Sequence, residues 1–95
     1  YSTMRFLHYQ IQAGPADKVE VVLAGNEANV MLLDSTNFAD YQRGRQFRYY
    51  GGHFRRSPVV LTPPYAGNWH VVVDLGGAPG SVRASVRLIP PVLAL

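Results

Sequence analysis

Cysteine is absent from the 95 residues, which removes disulfide frameworks, zinc-thiolate centres, iron-sulfur clusters and cysteine nucleophiles together. Charge is sparse as well. Only 16% of the residues are charged while 47% are apolar, the reverse of the balance that keeps a chain disordered. Apolar runs such as Val71 to Val73 fall far short of the roughly 20 residues that cross a bilayer, and no basic start leads into a signal-like apolar stretch. No membrane partner is expected, and a small domain without disulfides fits a cytoplasmic, reducing setting. Helical periodicity is missing too, because no segment repeats its apolar residues at 3.6-residue spacing over three turns.

What is present is punctuation. Gly14-Pro15, Gly25-Asn26, Gly51-Gly52, Pro63-Pro64, Gly67-Asn68, Gly76-Gly77 and Gly80 interrupt β-rich runs at short intervals, the rhythm of a sandwich or barrel. The length leaves room for one core only. The expectation is therefore a single all-β domain over 1–95, an antiparallel two-sheet, jelly-roll-like β-sandwich of seven or eight strands. Its body spans about 4–89, followed by an apolar tail, 90–95; Met4 is taken as the native start, with Tyr1 to Thr3 an extension.

Strands are expected at Met4 to Gln12, Lys18 to Ala24, Asn29 to Leu33, Arg45 to Tyr50, His53 to Thr62, Trp69 to Leu75 and Ser81 to Ile89. The second and third read as a hairpin across Gly25-Asn26, and Gly51-Gly52 reads as a break. Pro58 marks an edge or a bulge, because proline cannot donate to a ladder. Between Thr36 and Gln42 one helical turn, capped by Asp34 to Asn37, brings Phe38 and Tyr41 to the core. Shared parity assigns Trp69, Val71, Val73, Leu32, Phe47, Tyr49, Val86 and Leu88 to one packed interior.

Enzymatic signatures are not found. No G-x-S-x-G elbow occurs, and Ser57 and Ser81 read as turn residues. His8, His53 and His70 share no local motif, so they are read as separate surface or core-rim histidines with no metal and no cofactor. Asp74, ending a valine-rich strand, is expected to accept backbone or arginine hydrogen bonds. The loop Gly76 to Gly80 lies between two strands, so the helix start that completes a phosphate cradle is missing.

The most informative constellation is basic. Five of the six acids (Asp17, Glu20, Glu27, Asp34, Asp40) precede residue 41, whereas Arg43, Arg45, Arg48, Arg55 and Arg56 occupy an acid-free stretch that lasts until Asp74. Arg45, Arg48, Tyr50, His53 and Arg55 are the candidate binding residues, since guanidinium groups beside a ring suit phosphate, carboxylate or a stacked base. A solvated strand face that resists edge aggregation is the plain alternative.

Taken together, Phe6-Leu7-His8-Tyr9, Asn29 to Asp34 with Asn37-Phe38 and Tyr41, Tyr49-Tyr50-Gly51-Gly52, Ser57-Pro58 and Trp69 to Gly77 resemble the bacterial family named domain of unknown function 1883. The resemblance implies a compact β-sandwich found alone or joined to signalling domains of the Toll/interleukin-receptor type. It offers no catalytic residue to carry over. The function expected is a non-enzymatic module for an unknown protein or an anionic small molecule, in a signalling or defence setting. A binder of single-stranded nucleic acid or a nucleotide is the first rival, and an enzyme with a site invisible in the sequence the second.

Overall fold

The structure is a computed structural model that describes residues 6–25, 27–77 and 79–91. In chain order it contains β1 (Phe6–Ala13), β2 (Lys18–Gly25), β3 (Ala28–Asp34), α1 (Ser35–Gln42), β4 (Tyr50–Phe54), β5 (Val59–Leu61), β6 (Gly67–Asp74) and β7 (Val82–Ile89). All pairings are antiparallel, in a four-stranded sheet β1-β6-β3-β4 and a three-stranded sheet β5-β2-β7. An all-β sandwich with one short helix is what the alternation of the strands specifies. The extension at Tyr1 to Thr3 and the end of the apolar tail, 92–95, lie outside the described residues.

Alternation decides which side chains meet between the sheets. Val19 and Val21 of β2, Val30 and Leu32 of β3, Val59 of β5 and Trp69, Val71 and Val73 of β6 form the interior, with Leu7, Tyr9, Ile11, Val82, Ala84 and Val86 packed around it. The Trp69 indole N–H donates to the Tyr65 carbonyl at 3.0 Å, which satisfies the one polar atom of the largest buried ring. The other face of β3 and β6 is covered as well. Met31, Leu33 and Val72 lie there under Phe38 of α1, with Phe6, Tyr41 and Phe47 at the margin.

Several expectations are corrected. β2 and β3 do not form a hairpin, since they lie in different sheets; a Gly-Asn turn permits the chain either to return beside itself or to cross the sandwich. Residues 45–49 form no strand. They run over the outer face of the four-stranded sheet, so Phe47 joins the helix-covered cluster instead of the interior, and Tyr49 is 47% exposed. Leu88, near the end of edge strand β7, is also exposed, at 37%. The Gly51-Gly52 pair sits inside β4 opposite Met31 and Val30. At Gly51 φ is +135° and a Cβ would stand 2.1 Å from the Val30 carbonyl oxygen, so the glycine permits close strand approach where a break was expected. Pro58 precedes β5 and follows a cis peptide bond.

Candidate functional site

α1 starts where a side chain can replace its missing backbone partners. The Asp34 carboxylate accepts the Asn37 backbone N–H at 2.8 Å and the Asn37 side-chain amide at 3.0 Å, an N-cap. Burial alone would raise the Asp34 pKa, but these bonds, with those from Tyr65 and Thr36, outweigh it and hold the carboxyl below its ordinary value. Asn37 also accepts the Arg48 backbone N–H at 2.7 Å, tying the 45–49 segment back to the helix.

A cavity of about 360 Å³ lies between that segment, Tyr41 of α1 and the ends of β3 and β6. Tyr41, Phe47 and Tyr49 supply aromatic walls, and Met31 and Arg45 also line the cavity. The Tyr41 and Phe47 rings meet edge-on at 5.2 Å. Asp74 lines the same cavity and is only 4% exposed. Its Oδ2 accepts the Tyr41 hydroxyl at 2.6 Å, and its Oδ1 accepts the Asn29 amide at 2.8 Å and the Gly76 backbone N–H at 2.9 Å. Gly76 has φ +64°, the left-handed conformation that folds its N–H back onto the carboxylate. Burial, the bond to Asp74 and the negative charge there together push the Tyr41 pKa far above the ordinary phenol value. A second, larger cleft of about 510 Å³ beside Phe6, Val73 and Val82 has no cation among its lining residues.

The five sequence-selected residues divide into separate groups. Arg45 lines the aromatic cavity, and Arg48 follows on the same exposed segment. Tyr50 turns away from them and meets Trp69 edge-on at 6.0 Å. His53 stands between Asn29 Oδ1 at 3.0 Å and Glu27 at 3.2 Å, and Arg55 pairs with Glu27 at 3.0 Å. Glu27, distant from the arginines in sequence, thus enters the basic stretch in space. Asn29 connects the groups by bonding both His53 and Asp74.

Tyr41, Asn29, Phe47 and Tyr49 were not selected from the sequence as site residues. Tyr41 and Asp74 were each noticed there, for packing and for hydrogen bonding, but no spacing joined them. Asp74 takes one backbone and two side-chain bonds and no arginine. Two of the three histidines are also not separate. His8 Nε2 and His70 Nδ1 are 2.8 Å apart, and His70 Nε2 lies 3.0 Å from the Ser35 hydroxyl. Their shared outward parity on paired strands β1 and β6 was the available signal. Among the described residues, no group of three or more His, Cys, Asp or Glu is placed to hold a metal, and no helix is long and apolar enough to cross a membrane. A family model described as "Domain of unknown function (DUF1883)" matches residues 4–92. No curated protein and no solved structure matches the chain.

Proposed function

The chain belongs to the DUF1883 family, whose description assigns no activity, and we propose that it is a non-enzymatic binding module for a small anionic molecule with a flat ring. The observation that carries this reading is one cavity that combines aromatic walls from Tyr41, Phe47 and Tyr49 with Arg45 and the buried Asp74 carboxylate. Apolar walls with a few placed polar groups are the usual make-up of a ligand site. A ring would pack against Phe47 and Tyr49, a carboxylate or phosphate would meet Arg45, and a ring N–H would find a lone pair at Asp74 Oδ2.

Binding is preferred to catalysis because three donors already engage the Asp74 carboxylate and fix it as a hydrogen-bond acceptor in the cavity wall. The module would act in the cytoplasm, as an accessory to bacterial signalling or defence proteins. A second reading is favoured by Arg43, Arg45 and Arg48 preceding the exposed Tyr49 on one stretch of chain, which would suit single-stranded nucleic acid.

Calorimetric titration with an aromatic carboxylate, a mononucleotide and a short oligonucleotide, at low and high salt, separates these readings. The cavity reading expects Arg45→Ala to weaken a small-ligand Kd at least tenfold with thermal stability unchanged. Binding by the oligonucleotide alone, with steep salt dependence, favours the second reading. Equal affinities in wild type and Arg45→Ala overturn the first.

A further inference from the structure

Besides the apolar packing of Phe38 on Met31, Leu33 and Val72, α1 meets the four-stranded sheet through two contacts of different chemistry. At one, Tyr41 donates to Asp74 beside the cavity. At the other, Phe38 lies flat over a pair of imidazoles, its ring 4.1 Å from His8 at 17° and 4.5 Å from His70 at 8°. The imidazoles are themselves within 15° of parallel and share a proton across the 2.8 Å between His8 Nε2 and His70 Nδ1.

That bond limits how many protons the pair can hold. In the neutral pair one of the two facing nitrogens carries hydrogen and the other accepts it. A first added proton can go to an outward nitrogen, such as His70 Nε2, which then donates to the Ser35 hydroxyl. A second has no place left except the shared gap, where two N–H groups would point at each other. We propose that the His8–His70 pair is an acid-operated latch: full protonation separates the rings, frees Phe38 and lifts α1 from the sheet, opening the aromatic cavity at its Tyr41 wall.

Phe38 and Ser35 face the pair from α1, the Asp34 carboxylate from the junction of β3 and α1, and the two rings themselves from β1 and β6. The other titratable groups on those elements are Tyr9, Asp40, Tyr41 and Asp74. Asp34 favours a charge on His70, but burial and the charge on His8 oppose it, and burial also opposes a charge on His8. Both rings therefore titrate below the ordinary histidine value. With depressed folded values, their contribution to docking is present above about pH 6.5 and is lost as pH falls through the folded values.

The consequence for ligand release rests on the cavity reading, but the latch itself is measurable without ligand. Amide hydrogen exchange of the unliganded protein between pH 7.5 and 4.5, corrected for intrinsic rates, is the experiment, with His8→Gln in parallel. In wild type, amides of residues 38–42 should lose protection at least tenfold between pH 7 and pH 5 while those of β3 and β6 keep theirs. His8→Gln should abolish the difference. Should that variant not fold, His70→Asn serves, and histidine ring NMR titration of wild type should show two coupled steps below 6.5. Constant protection of α1 across this range, or loss only together with the sheets, overturns the latch; failure of all ligands to bind would leave these results unaltered.

Discussion

Tyr41→Phe deletes a single oxygen from the cavity. The ring keeps its edge-on contacts with Phe6 and Phe47, each at 5.2 Å, while the 2.6 Å hydrogen bond donated to Asp74 is lost. A hydrogen bond to a charged group contributes about 1.5 to 3 kcal/mol. Asp74 keeps Asn29 and Gly76 as donors, which argues against a cost above that range. With m near about 1.5 kcal/mol/M in urea, the midpoint should fall by about 1 to 2 M, followed by Trp69 fluorescence. Alkaline titration gives an independent reading. A phenol with a raised folded pKa contributes stability that is present below about pH 10 and is lost as pH rises through the folded value. The variant should lack that late-ionising phenol in its absorbance titration. In a cycle with Asp74→Asn, the two losses should be less than additive. A midpoint unchanged within about 0.3 M, or an unaltered phenol titration, would refute the assignment of Tyr41 and Asp74 as a stabilising pair.

Trp69→Ala should destabilise by about 3 to 5 kcal/mol, as expected for removing a buried aromatic ring; an unchanged denaturation midpoint would contradict its 1% exposure. Gly51→Ala should cost more than about 3 kcal/mol because of the backbone clash with Val30. Gly52→Ala, with nothing within 4 Å of the new methyl, should be tolerated, and thermal melts of the pair make the comparison. Asp34→Ala should cost about 0.5 to 2 kcal/mol through the lost cap. The wild-type advantage over it should fade in acid melts as pH drops through the depressed folded value of Asp34.

Strand content was legible because parity survives without knowledge of partners: Trp69, Val71 and Val73 share a face whichever strands flank them. Connectivity was not, since the residues around Gly25 encode a turn and not the sheet to which the chain returns. Tyr50 and its neighbours show a second limit. Alternation through Arg45 to Tyr50 suggested a strand, but anchoring of the Arg48 N–H to Asn37 ends that regularity, so faces counted across it do not carry into β4. Arg45 was selectable from local charge alone. The company it keeps with Asp74, and that of Arg55 with Glu27, depends on strand order and register, which no local pattern records.

Apart from β3 and β4, strands adjacent in sequence never share a sheet. The strand on which both β1 and β3 depend is β6, at residues 67–74, and β2 likewise needs β5 and β7. During synthesis, then, β1 and β3 leave the ribosome well before the partner that lies between them. Neither sheet can be completed from the first 66 residues, and nascent chains arrested there should be captured by chaperones and digested by proteases. Assembly must wait for distant segments to meet, which places this domain among slow, topology-limited folders despite its size.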